Sequence, residues 1–440
     1  MRSRSRSSAA CGALLAGLFA GAPIAGAADV SYGAYLGMGY TDNVTRVPDD
    51  ALDETIASLG AQFRLAQESR RLKADIVTRL EYREYLDNSY DSEIVGNLIG
   101  SAVFDIVEER FTWTVDDTFG QTMLNQFLPS TPANRENANR LSTGPDLTLP
   151  FGSRNKFILR GRYIDLSYED SDLGNQRTRG EASLARDVSD VSIVSANFTT
   201  ERVEFDDQTR FANFDHSEAF LSYDVDSART TLSIDGGITE IESDTETNDT
   251  WLGRLEFARK VSAAATVGIE LGHDFSDAGD AFANMQALQP GSLEPVPVQQ
   301  TATPFENTYG ILFGRFARNR TGLQLRLGYY DEQYDDEPLF DRKRYTLDLA
   351  LNRDISSVMT ARLGANYSRQ EYQTVDQDFS DLRASLGVRW NFGRSSYLSF
   401  EYQYLDRSDD AAGDYNASEL WLRFAYQVGE NVSSESFSGF

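Results

Sequence analysis

The 440-residue chain carries 68 acidic against 41 basic residues, a net charge of −27, with two histidines and a single cysteine. Such a charge repels nucleic acid, which is bound by basic surfaces, and one cysteine supports neither a disulfide framework nor a thiolate metal site. Acidic chains that stay disordered are poor in aromatics; here 12% of the residues are aromatic, 21 of them tyrosine, which excludes that class.

Residues 1–27 read as an export signal. Arg2, Arg4 and Arg6 form a positive start, Ala13 to Ile24 an apolar core, and Ala25-Gly26-Ala27 a small-residue cleavage pattern before Ala28. The apolar run is short of the ~20 residues that a spanning helix needs. Cys11 precedes the apolar core, the wrong order for a lipoprotein attachment site, so it leaves with the signal. Loss of the three arginines takes the net charge from −27 to −30. No later stretch approaches ~18 uninterrupted apolar residues, which excludes spanning helices.

From Tyr32 to Tyr426 a different pattern takes over: stretches of alternating apolar and polar residues joined in turn by short and long connections. In the first, Val30, Tyr32, Ala34, Leu36, Met38 and Tyr40 share one face, and Ser31, Gly33, Tyr35, Gly37 and Gly39 the other. The stretch 71–83 repeats it with Leu72, Ala74, Ile76, Leu80 and Tyr82 against Lys73, Asp75, Arg79, Glu81 and Arg83. Further rows are Leu323 to Tyr329, Tyr345 to Leu351, Leu363 to Tyr367, Leu398 to Tyr404 and Leu420 to Tyr426. Short connections fall near Ser69, Glu109, Ser153, Ser189, Ser227, Ser262, Asn319, Ser356 and Arg394. Longer ones fall near Pro48, Asn88, Pro129, Ser171, Asp207, Asp244, Pro290, Asp336, Asp376 and Ala412.

This is the pattern of a closed antiparallel transmembrane β-barrel in the outer membrane of a Gram-negative-type bacterium, with the short turns periplasmic. A soluble sandwich would need two sheets packed through their apolar faces, whereas here one face is polar along the whole chain. The count is about 20 strands over residues 28–428, or 18 if segments 111–119 and 141–149 do not both form. Residues 429–440 are a tail or an irregular end of the last strand, because Ser434, Ser436 and Ser438 break the alternation before Phe440.

With the apolar row facing lipid, the other row faces the lumen. It holds Arg64, Arg79, Arg83, Arg160, Arg162, Arg254, Arg326, Arg362, Arg383, Arg389 and Arg423, together with Asp75, Glu81, Glu256, Glu270, Asp348 and Glu401. One reading is a lattice of ion pairs that stiffens the wall. The other is a conduit favouring anions such as carboxylated sugars, through the forked hydrogen bonds of arginine. Tyr35, Tyr330 and Trp421 also point inward, as wall packing or as stacking platforms for sugar rings. Two segments are too long for turns: 120–140, rich in Asn and Pro, and 276–307, with Pro290, Pro295, Pro297 and Pro304. Each either folds inward to narrow the pore or stays at the surface. His216 beside Asp215 and His273 beside Asp274 are the candidate base pairs for catalysis, but no nucleophile accompanies them. No cofactor fingerprint or metal-ligand cluster is present, and no enzyme is expected.

The run Asp116-Asp117-Thr118-Phe119-Gly120-Gln121-Thr122, followed by Pro129 to Asn137 and Ser142-Thr143-Gly144-Pro145-Asp146, resembles the outer-membrane β-barrels associated with exosortase (PEP-CTERM) gene clusters, within the β-barrel porin type 2 group. The opening Gly39-Tyr40-Thr41-Asp42-Asn43-Val44 is similar to that group as well. The resemblance implies a passive outer-membrane pore for export of exopolysaccharide, with a periplasmic and inner-membrane polysaccharide export machinery as partner. Outer-membrane lipid and lipopolysaccharide would surround it. It implies no catalytic residues. A general diffusion porin and a surface scaffold with an occluded lumen are the alternatives.

Overall fold

The computed structural model describes residues 28–243, 246–375 and 377–429; the export signal and the tail beyond Gly429 lie outside the described residues. Twenty strands follow one another: β1 (Asp29–Thr41), β2 (Glu54–Glu68), β3 (Leu72–Tyr85), β4 (Glu93–Val107), β5 (Phe111–Met123), β6 (Arg135–Phe151), β7 (Asn155–Tyr168), β8 (Asn175–Ser189), β9 (Ser192–Phe205) and β10 (Phe214–Asp226). The second half holds β11 (Thr230–Ser243), β12 (Thr247–Ser262), β13 (Ala265–Ser276), β14 (Phe305–Arg318), β15 (Thr321–Gln333), β16 (Arg342–Asp354), β17 (Met359–Tyr372), β18 (Phe379–Asn391), β19 (Ser396–Asp409) and β20 (Tyr415–Val428).

Each strand pairs antiparallel with the next, and β1 pairs with β20, so that Tyr35 lies opposite Gly60 on one side and Ala425 on the other. The sheet therefore has no free edge, which is the condition for sitting in hydrocarbon. Both doubtful segments form strands, giving 20 and not 18.

One rim carries nine turns of two to four residues, two of them bent through glycines at positive φ, Gly152 (72°) and Gly393 (87°). No side chain opposes that conformation at glycine. The opposite rim carries the longer links. Among them, β11 ends at Ser243 and β12 begins at Thr247, so the connection expected to be long near Asp244 spans only three residues. The segment 120–140 is also shorter as a loop than its composition suggests. β5 runs on to Met123 and β6 begins at Arg135, and their polar residues satisfy one another across the pair: Asn139 donates to Asp117 at 2.7 Å.

The outer wall exposes Leu36, Ile94, Leu221 and Ile238 by 61 to 66% of their surface. Tyr40, Tyr82, Trp251 and Tyr345 lie toward the long-loop rim of that wall, and Trp113, Tyr223, Trp390 and Tyr426 toward the short-turn rim. An apolar band bounded by two aromatic girdles is the surface that a bilayer covers. The protein is an outer-membrane β-barrel. At ~4.8 Å between strands tilted by ~40°, twenty strands enclose a cylinder roughly 40 Å across. Wall side chains alone cannot fill such a width.

Candidate functional site

The lumen is crossed by the connection between β13 and β14. It begins with a helix, α1 (Ala278–Ala287), started by Asp277, whose carboxylate accepts from the amides of Gly279 (2.7 Å) and Asp280 (3.2 Å). The same carboxylate takes both terminal nitrogens of Arg177 on β8, at 2.7 and 2.8 Å. A fork of this kind fixes direction as well as distance. Asp280 pairs with Arg140 on β6 at 3.0 Å and with Arg179 on β8 at 3.4 Å. Burial alone would raise the Asp280 pKa; Arg140, Arg179 and Arg177 reverse this and hold it well below the carboxylate range.

Below the helix, Phe282 is fully buried against Ala138, Ala278, Val296 and Val298. Gln286 accepts from Asn97 on β4 at 2.7 Å and donates to the carbonyl of Gln121 on β5, and the amide of Gly291 donates back to Asn97 at 2.8 Å. The chain then lies alongside β5, where the Val296 amide donates to the Gln121 carbonyl at 2.8 Å. Glu294 reaches the far wall, where Arg383 on β18 meets it at 2.7 Å. Since β8 and β18 are ten strands apart in a barrel of twenty, one loop touches diametrically opposite walls. The segment 277–304 folds inward as a bar across the lumen.

The second loop, 124–134, also turns in. Asn134 ties it together by donating to the carbonyls of Asn125, Leu128 and Pro129. Phe127 packs on Tyr372 of β17 (centroids 4.8 Å apart) and Phe340, and its carbonyl accepts from Arg407 of β19 at 3.0 Å. Gln126 bonds Arg342 of β16. All these contacts lie in the outer halves of their strands.

Beneath and around the bar is a cavity of about 1200 Å³. Of the arginines expected in the lumen, Arg79, Arg83, Arg254, Arg326, Arg383 and Arg423 line it, and so does Tyr330. Most have carboxylate partners on the wall itself. Arg79 and Arg83 flank Glu81 (3.3 and 2.7 Å), Arg254 binds Glu218 (2.5 Å) and Asp274 (2.6 Å), Arg326 binds Glu270 (3.2 Å), and Arg423 binds Glu401 (3.1 Å). Outside the cavity, Arg160 pairs with Glu181 and Arg162 with Asp146. Arg64, Arg362 and Arg389 lie toward the short-turn rim; Arg389 stacks on Tyr397 with 3.6 Å to the ring centre.

Tyr35 is buried, donating to Glu81 at 2.7 Å and accepting from Arg79 at 2.8 Å. Trp421 is buried between Arg83 and Arg423. Neither ring has a face open to a sugar. Tyr330 does border the cavity, with Arg344 over its ring at 4.1 Å and Tyr309 beside it at 6.4 Å.

The sequence reading missed Arg140, Arg177 and Arg179, which hold the bar, Arg342 and Arg407, which hold the loop 124–134, and Arg344 on the cavity wall. Alternation within β8 places Arg177 and Arg179 on one face, the available signal; Arg140 fell inside the segment read as loop.

The two histidines stand apart from their neighbouring aspartates because adjacent residues of a strand point to opposite faces. His216 sits 2.9 Å from Thr239 while Asp215 is turned to Arg202. His273 lies between Thr250 and Thr308 and stacks on the exposed Trp251, whereas Asp274 binds Arg254 inside.

No protein-family model matches the chain, and no curated protein matches it. Among solved structures it is similar to the ferric enterobactin receptor PfeA of Pseudomonas aeruginosa, at 7% identity over 92% of this chain and 81% of that one, with a TM-score of 0.45. The siderophore receptor PirA of the same organism matches at 9% identity over 90% and 80%, TM-score 0.41. OmpT, an outer membrane protein of Vibrio cholerae, matches at 12% over 92% and 99%, TM-score 0.35. Likeness at this level says nothing of cargo.

Proposed function

We propose that this barrel is a gated outer-membrane conduit for exopolysaccharide bearing acidic sugars, delivered by a periplasmic and inner-membrane export machinery. The observation that carries the reading is the bar itself: segment 277–304 crosses a wide lumen and is held largely by hydrogen bonds and ion pairs above a cavity lined by many charged side chains. A closure built from polar contacts can exchange them for contacts with a hydrated polymer. Arginine forks suit carboxylates, and Tyr309 and Tyr330 offer ring faces at the cavity wall.

The test is the distribution of polysaccharide in a strain that lacks this protein but keeps its synthesis machinery. Export predicts less polymer outside and more in the periplasm; an unchanged distribution sinks the exporter. A general diffusion porin is the second reading, favoured by the near balance of arginines and carboxylates along the wall, which leaves little net charge preference. Steady conductance for small salts, with no effect on polysaccharide, supports it instead.

A further inference from the structure

Arg383 differs from the cavity arginines that are paired within the wall. Arg79, Arg83, Arg254, Arg326 and Arg423 each have a carboxylate on the wall itself, on the same strand or one to two strands away. Among the described residues, the carboxylate that pairs with Arg383 belongs to the inward loop: Glu294, at 2.7 Å from Nη1. The pairing uses one corner of the guanidinium, while the Arg383 Nε is buried without a hydrogen-bond partner. A carboxylate free to approach along the edge could take Nε and Nη together, a better fit than Glu294 makes.

The surroundings suit an anion. Arg46 and Arg83 line the same cavity beside Glu294, and Arg46 is tied to Glu419 only at 3.5 Å. Arg46, Arg83 and Arg135 add their charge to that of Arg383 at Glu294 and hold its pKa down to about 2, against a burial that would raise it. Asp381, on the same face of β18, is engaged by Arg407 at 3.3 Å and so leaves Arg383 to the loop. The chain around Glu294 is stiff, because Pro295 and Pro297 fix its backbone. Glu294 itself keeps 37% of its side chain accessible. The two ends of the bar are unequally held: Asp277 and Asp280 engage three arginines at one end, and the far wall is met by the Glu294 and Arg383 pair.

We propose that Arg383, with Arg46 and Arg83 beside it, is a binding site for the carboxylates of a uronic-acid-type glycan, that Glu294 occupies it as a tethered substitute, and that an arriving chain displaces Glu294 and frees the bar from the far wall. The proposal rests on reading the lumen as a glycan path. It names the class of glycan and the contact that the glycan replaces.

The test uses the purified full-length barrel in planar lipid bilayers, with oligogalacturonate as probe and a maltooligosaccharide of equal length as the neutral control. Wild type opens more often with oligogalacturonate and not with maltooligosaccharide. Glu294→Gln raises the open probability without any probe by about five- to tenfold, the scale of one partly exposed ion pair, and tightens binding of oligogalacturonate. Arg383→Gln raises it similarly but abolishes the response to oligogalacturonate; Arg383→Lys keeps the charge, loses the fork, and weakens that response. Equal responses to the two probes, or unchanged gating in both Glu294→Gln and Arg383→Gln, overturn the proposal. The export reading fails separately, in the strain assay, even if oligogalacturonate displaces Glu294 in the bilayer.

Discussion

Asp277→Asn separates the charge that anchors the bar from the cap that starts its helix. Asparagine is as good a helix cap as aspartate, so the bonds to the amides of Gly279 and Asp280 survive. What goes is the charged fork to Arg177, which is 2% exposed. Breaking a buried ion pair costs about 3–5 kcal/mol. Here Arg177 retains Glu201 at 3.6 Å, Asp280 at 4.0 Å and a bond to Asn175 at 2.8 Å. We therefore expect about 2–3 kcal/mol, a shift of roughly 30- to 150-fold from docked toward undocked bar. Hydrogen exchange of the amides between residues 278 and 296 should accelerate by that factor. Meanwhile the barrel itself keeps its SDS-resistant form on unheated gels. Unchanged exchange in an intact barrel would refute the view that Asp277 and Arg177 hold the bar.

Other expectations are independent of that one. Glu294 has a depressed pKa when docked, so its contribution is complete above the ordinary value of 4.5 and is lost as pH falls from there toward about 2; open probability should be flat above that window and rise within it. A side chain at Gly120 would place its Cβ 1.9 Å from Nε2 of Gln286, so Gly120→Val should push Gln286 off Asn97 and speed exchange in the bar without unfolding the wall. At Gly144 the same addition meets the carbonyl oxygen of Gly161 at 1.9 Å, and backbone cannot step aside; Gly144→Ala should yield no SDS-resistant barrel. Arg79→Gln with Arg83→Gln strips the fully buried Glu81 of both arginines flanking it and leaves Tyr35, lowering stability by about 3–5 kcal/mol in urea unfolding monitored by tryptophan fluorescence.

The alternation from Val30 to Tyr426 made the barrel legible because lipid tolerates few polar residues outside and the lumen few apolar rows inside. Elsewhere the reading stopped short. In β5 and β6, Gln121, Asn137 and Asn139 resemble loop residues in composition, yet the strands continue through them because their side chains bond across the pair, Gln121 to Asn137 and Asn139 to Asp117. α1 was hidden by the Pro and Gln that follow it, although Asp277 ahead of an alanine-rich stretch was a usable start signal. Which loop enters the lumen could not be read at all. It depends on pairs such as Arg177 with Asp277 and Arg383 with Glu294, which are far apart in the chain and meet only once the sheet has closed. The inward arginines and carboxylates were visible one by one, and a lattice of ion pairs was one of the two readings; which arginine meets which carboxylate was not, because the pairs form across strands once the barrel closes.

Both inward loops make their contacts in the outer half of the barrel, and this gives the molecule a direction. Among the described residues, a solute rising from the periplasm travels past Arg389, Arg64 and Arg362 to mid-barrel before it meets a closure, and it meets the bar from beneath, where the Glu294 contact faces the cavity. A solute from outside meets loop 124–134 first, sealed by Phe127, Phe340 and Tyr372. On the export reading proposed above, the release at Glu294 would be presented to the periplasm and screened from the medium.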